Sequence, residues 1–317
     1  MMAATTPTSS RFLLLRDFLA ANGTKHDTSG LIPLDALMTP LTKTQLDAIR
    51  GAFSPQILHQ ITVAWHCSVV YWLDIAAAAG RLDWIDYIHC HGGHGSSLAL
   101  DLAAASGSLV CVQYLHLNRT DGATTLAMDL AARAGHFDIV RFLHLRRCEG
   151  CTSDAMYYAA KLGYEDIVRF LLDNRFVEST STRALDAAAR NGHYGIVQLL
   201  HAAYAGMPRM ASAAAMDLAA AGGHLYVVCF LHEHRSEGCT NSALILAAAR
   251  GHIEVVQFLV QNRKEGCVTA ALEAANENSA IEVASYLSQV LDRGEMACSR
   301  IGCRLHCRKH WMGLEQL

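Results

Sequence analysis

Histidine and cysteine could bind metal or carry nucleophilic chemistry here, and the chain holds seventeen of the first and eleven of the second. Their spacing argues against a shared metal site. His136, His193, His224 and His252 each follow a glycine, while His89, His116, His144, His201 and His232 each follow an aliphatic residue, at intervals near 28 residues or a multiple of it. Ligands of one zinc must all reach it at about 2 Å. Members of such a column lie on successive packed helices, about 8–10 Å apart, and cannot share an ion. Cys148 and Cys151 spell C-x-x-C, a redox or zinc spacing, but the Glu-Gly-Cys part recurs at Glu237-Gly238-Cys239 and Glu265-Gly266-Cys267. It reads as a repeated loop. His89, Cys90, His91 and His94 are too irregularly spaced for a zinc module. In the tail, Cys298, Cys303, Cys307 and His310 would suffice for one tetrahedral zinc, with His306 close by, although C-x4-C-x3-C-x2-H matches no recognised module. The competing reading of the tail is a basic helix with Arg300, Arg304, Arg308 and Lys309. No metal, cofactor or catalytic residue is expected. No phosphate-cradling glycine loop and no isolated acid, base and nucleophile set stands apart from the repeated positions.

The elements that position these residues repeat. An Ala-Ala-x-x-Gly signature precedes Gly80, Gly107, Gly135, Gly163, Gly192, Gly223 and Gly251 with small variations, at steps of 27, 28, 28, 29, 31 and 28 residues. A fixed period of this size marks a stacked repeat array. Four and five residues past each glycine stand aliphatic or other apolar pairs, from Trp84-Ile85 to Val255-Val256, predicting a ladder through the core. Ser96, Thr124, Thr152, Ser181, Ser212 and Thr240 open the first helix of each unit as helix caps. The glycine ends that helix in the left-handed conformation, and a second helix follows. An eighth, decayed unit has Glu273, Val283 and Leu287 in frame but Ser279 at the glycine position.

Composition fits this plan. Apolar residues make up 52% of the chain and aromatics 7%, with alanine dominant, suiting thin helix pairs packed closely. The net charge of -3 gives no global field for nucleic acid or an anionic membrane. An odd cysteine count at apolar positions favours an intracellular, cytoplasmic setting over a secreted disulfide framework. The most apolar stretch, residues 57–79, contains His59, Gln60, His66 and Asp74, so no membrane span is expected.

Segments such as Ala127–Leu143, AMDLAARAGHFDIVRFL, resemble the two antiparallel helices of the ankyrin repeat across roughly residues 70–291. The resemblance implies an all-α, ankyrin-like solenoid of seven clear repeats plus a degenerate C-terminal one. The short period of about 28 residues implies shortened fingers between repeats, similar to large protist families of ankyrin-like proteins. One departure is a column of Asp74, Asp101, Asp129, Asp186 and Asp217, with Tyr157, Ile245 and Glu273 in the remaining slots, where the family carries the histidine of its T-P-L-H motif. A structural role bonding to the next repeat is expected of it. Arg119, Arg147, Arg175, Arg235 and Arg263 follow the second helices, with Asp121, Glu149, Glu178, Glu237 and Glu265 two or three residues on, and are expected to pair as loop architecture.

By the resemblance, a partner protein is expected on the concave helix face, through the two residues before each glycine-histidine. Arg133, Lys161, Leu162, Arg190, Asn191 and Arg250 occupy such positions. The cations form a basic stripe suited to an acidic segment, with solvating surface charge as the alternative. The domain reading is a disordered N-terminus at 1–10, a helical cap at 11–69, the array at 70–291 and a basic Cys/His tail at 292–317. The expected function is a non-enzymatic interaction scaffold, with a substrate-recruiting adaptor of a larger complex, such as a ubiquitin ligase, as the alternative through the N-terminal segment. The oligomeric state is left open.

Overall fold

A computed structural model describes residues 71–176, 180–205 and 212–293, and within these all regular structure is helical. The expected elements at 11–21 and 44–61, and the Cys/His tail, lie outside the described residues. The helices are α1 (Trp72–Ala78), α2 (Leu82–Cys90), α3 (Leu98–Ser106), α4 (Leu109–Asn118), α5 (Leu126–Ala134), α6 (Phe137–Arg146), α7 (Ser153–Leu162) and α8 (Glu165–Asn174). They continue with α9 (Thr182–Arg190), α10 (Tyr194–Ala203), α11 (Ala214–Ala221), α12 (Leu225–His234), α13 (Asn241–Ala249), α14 (Ile253–Asn262), α15 (Val268–Glu277) and α16 (Ile281–Asp292). Odd-numbered helices are the first of each repeat and even-numbered ones the second. The chain divides into two compact units: unit 1 reaches Ala155, and unit 2 begins at Met156 within α7.

In unit 1, first helices pack on first helices (α1 on α3, α3 on α5) and second helices on second (α2 on α4, α4 on α6). Alanine explains how closely the first helices stack, because axis separation is set by the side chains at the contact. Ala76, Ala77, Ala103, Ala104, Ala131 and Ala132 are all buried. The predicted ladder Trp84-Ile85, Cys111-Val112 and Ile139-Val140 is buried behind them. Unit 2 repeats the plan, with α9, α11, α13 and α15 forming one row and α8, α10, α12, α14 and α16 the other. Its ladder runs from Ile167-Val168 to Val283 and is also buried.

The glycines behave as the period predicts. Gly80, Gly107, Gly135, Gly163, Gly192, Gly223 and Gly251 all have positive φ, between 64° and 86°. In the decayed last repeat the same conformation is taken by Ser279 at φ 58°, the one non-glycine residue with positive φ among those described. A Cβ in this region costs roughly 1–2 kcal/mol, partly offset by the greater unfolded-state freedom of glycine. Ser279→Gly is therefore expected to stabilise the chain by about 0.5–1 kcal/mol, read as a higher midpoint in thermal or urea unfolding. An unchanged or lower midpoint would contradict this account.

Candidate functional site

A residue is available for a partner only if it is not already committed to holding repeats together. In unit 1, Asp101 is fully buried and accepts two hydrogen bonds from the next repeat, from the Thr124 backbone N–H at 2.9 Å and its hydroxyl at 2.7 Å. The Thr124 oxygen in turn accepts from the Leu126 amide at 3.1 Å. The hydroxyl thus links the previous repeat to the start of its own helix. The same clip joins Asp74 to Ser96 and Asp129 to Thr152. In unit 2 it joins Asp217 to Thr240, and Asp186 to Ser212 through the hydroxyl. The aspartate column is structural, as its place in the repeat suggests. Burial raises every one of these carboxyls, with Asp74 and Asp101 pushed up to about 6, while the hydrogen bonds from the Ser/Thr partners pull the other way.

The histidines after the glycines are committed as well. In unit 2, Nε2 of His193, His224 and His252 donates at 3.1 Å to the backbone carbonyls of Lys161, Arg190 and Ala221 in the preceding repeat. Because a carbonyl can only accept, the proton is fixed on Nε2. Each ring lies against the glycine one repeat back. A Cβ on Gly163 would meet His193 Cε1 at 2.7 Å, and in unit 1 a Cβ on Gly107 would meet His136 Cε1 at 2.6 Å. The second histidine column caps the arginine loops. Arg147 pairs with Glu149 and donates to His116 Nδ1, whose ring meets Phe142 edge-on. In unit 2 Arg235 engages Glu237 and His201, and Arg263 engages Glu265 and His232. Arg119 pairs with Asp121 and donates to the Gly93 carbonyl. The Arg/acid pairing matches expectation wherever both partners are described. Histidine as a third member was not legible, because it comes from a different repeat.

Among the described residues no His/Cys/Asp/Glu group could hold a metal ion. Cys148 is exposed and Cys151 buried. His91 bonds its own helix at Tyr87 O while His89 packs edge-on against Tyr114. The candidate set Cys298, Cys303, Cys307 and His310 lies outside the described residues.

The residues before the glycines fare differently from one another. In unit 1 Arg133 is half-buried at the end of α5. In unit 2 Lys161, Leu162, Arg190, Asn191 and Arg250 are all exposed. Asn191 turns back to the Ala187 carbonyl, and Arg250 donates at 2.9 Å to the Ala221 carbonyl that His252 also engages. Arg250 is therefore partly tied to the backbone. Lys161 and Arg190 project from residues whose carbonyls the histidines hold, so their helix ends are fixed in place.

Arg183 is a further exposed cation, at a position that the repeat pattern does not mark. Tyr157 breaks the aspartate column, and its ring carries the Arg183 guanidinium at 4.2 Å and the Lys161 ammonium at 5.8 Å from its centroid. Both are exposed, and neither has a carboxylate within ion-pair distance among the described residues. The signal was present in the departure of Tyr157 from the column. Only the fold shows that this tyrosine faces the first turn of α9.

Family models for ankyrin repeats match residues 100–144, 129–207 and 216–294. The chain belongs to the ankyrin-repeat family, a class of protein-protein interaction modules that are generally not enzymes. A comparison with curated proteins returned no match. No helix among the described residues is long and apolar enough to cross a membrane.

Proposed function

We propose that the chain is an interaction scaffold, and that the first-helix face of unit 2 receives an acidic segment of a partner protein. The carrying observation is the set Lys161, Arg183 and Arg190, all exposed on the neighbouring first helices α7 and α9. Two of its three members rest on the Tyr157 ring rather than on a carboxylate. A cation stacked on an aromatic face keeps its donors available for an incoming carboxylate, and Arg presents them as a planar fork. Asn191 and Leu162 border the set. Arg250 is a weaker contributor because its guanidinium already serves a backbone carbonyl. An intracellular setting with no cofactor accompanies this reading.

The test is a titration of the full chain with a fluorescent glutamate-rich peptide. Lys161→Glu, Arg183→Glu and Arg190→Glu together should weaken binding at least about tenfold, with a steep salt dependence in the parent protein. Arg250→Glu alone should have a smaller effect. Affinity indifferent to the triple reversal would eliminate the proposed face.

A further inference from the structure

The second-helix face of unit 2 has the opposite chemistry. Helices α8, α10, α12, α14 and α16 carry seven acids and a single base, Arg169, which pairs with Glu165. Across α10, α12 and α14 there is no lysine or arginine at all. Two tyrosines stand out on these helices, Tyr194 at 40% and Tyr226 at 81% exposure.

The repeat register places Tyr194 and Tyr226 at neighbouring positions of adjacent helices. A Cβ added to Gly195, three residues past the Gly192 repeat glycine, would meet Glu165, which lies two past Gly163. Position three of one repeat thus neighbours position two of the repeat before it. Tyr226 is at position three and Tyr194 at position two of the preceding repeat, so they occupy the same pairing. Phe230, one helical turn beyond Tyr226, forms the floor. It is 9% exposed, meets Tyr194 edge-on at 5.7 Å and stacks on His234 at 4.4 Å. Exposed carboxylates flank the strip: Glu233 lies two turns along α12 from Tyr226, and Glu254 occupies the slot of Tyr226 in the next repeat.

We propose that this aromatic strip on α10 and α12 is a second docking surface, for an extended partner segment bearing arginine or lysine side chains. The cations would lie over the tyrosine faces, where the ring quadrupole attracts them, with their charge answered by Glu233 and Glu254. Charge complementarity selects this occupant. An apolar partner would gain nothing from the flanking acids, and an acidic one would meet Glu233 and Glu254 with no lysine or arginine on α10, α12 or α14 to offset them. The inference does not depend on the first-helix face. If both hold, unit 2 binds two partners of opposite charge, one on each helix row.

The test uses the full chain and a fluorescent extended peptide of alternating arginine and serine, together with its citrulline counterpart, in which the charge is removed. Tyr194→Leu with Tyr226→Leu should weaken binding of the arginine peptide by about tenfold, the combined effect of two cation–π contacts. The corresponding Phe pair should retain it. The citrulline peptide should bind weakly to all three proteins. If the Leu pair does not fold, Glu233→Gln with Glu254→Gln serves instead, with an expected loss of about threefold at low salt. Lys161→Gln, Arg183→Gln and Arg190→Gln should leave arginine-peptide binding intact while weakening that of the glutamate-rich peptide, so either surface can fail alone. The proposal is overturned by an affinity that ignores the ring and carboxylate changes, by equal binding of the citrulline peptide, or by no saturation below about 1 mM.

Discussion

Replacing Asp101 with alanine is expected to lower the stability of unit 1 by about 2–3 kcal/mol, among the largest effects of any single change. The carboxylate is fully buried and answers both the Thr124 N–H and its hydroxyl. Its removal leaves an amide and a hydroxyl unanswered where water has little access, at roughly 1–3 kcal/mol for the pair beyond the lost contact. The pH dependence of the parent protein follows from the same site. Burial dominates the shift, raising Asp74 and Asp101 to about 6 from an unfolded value near 4. A raised carboxyl favours the neutral, folded form. Its stabilising contribution is present in full below the unfolded value and is lost as pH climbs through about 6. Through these two sites, stability should therefore fall by on the order of 2 kcal/mol each between about pH 4 and pH 7.5. Asp74→Asn with Asp101→Asn should flatten this profile. Urea unfolding across that range is the measurement, and a profile equally steep in the Asn pair would rule out these carboxyls as its source.

Gly107→Ala should cost about 3–4 kcal/mol, from two separable causes. The residue holds φ 82°, which any Cβ makes unfavourable by roughly 1–2 kcal/mol. The new methyl would also come within 2.6 Å of the His136 ring, forcing the ring out of its place in the joint. A double-mutant cycle separates them. In a His136→Ala background the clash is gone and only the backbone strain remains, so Gly107→Ala should cost about 1–2 kcal/mol there. Additive costs would mean that the histidine does not require the glycine. The repeated Gly-His pair would then be two independent preferences.

Much of the fold was legible because it is local to one period. Alanine spacing, the cap residues Thr124, Thr152 and Thr240, the left-handed glycines and the aliphatic ladder each depend on neighbours a few residues away. The structural role of the aspartate column was also legible, as one residue type recurring in one slot of most periods answers to a joint that recurs with it. What sequence did not reveal lies in diagonal relations between repeats. The Thr124 hydroxyl both gives to Asp101 and takes from Leu126. His232 reaches an arginine 31 positions away rather than its own loop. Arg183 does not sit before a glycine, so the repeat frame does not mark it, and the departure of Tyr157 from the column does not by itself link its ring to a cation. Period fixes which slots repeat. The angle at which one helix pair meets the next decides which unlike slots touch.

The Asp to Ser/Thr clip has a further consequence for how such a chain can change length. Every repeat with a complete clip hands an acceptor forward and a hydroxyl back, so both halves of a joint are encoded within one period of about 28 residues. Excising one whole period between Gly107 and Gly135 would leave Asp101 facing Thr152, chemically the same junction as before. A deletion of half a period would strand a buried carboxylate opposite no hydroxyl and expose the alanine face that had covered it. Such a chain is modular in the manner of interlocking tiles: it tolerates gain or loss in whole units, and internal recombination in frame is the route by which its surface can be lengthened without redesigning any joint.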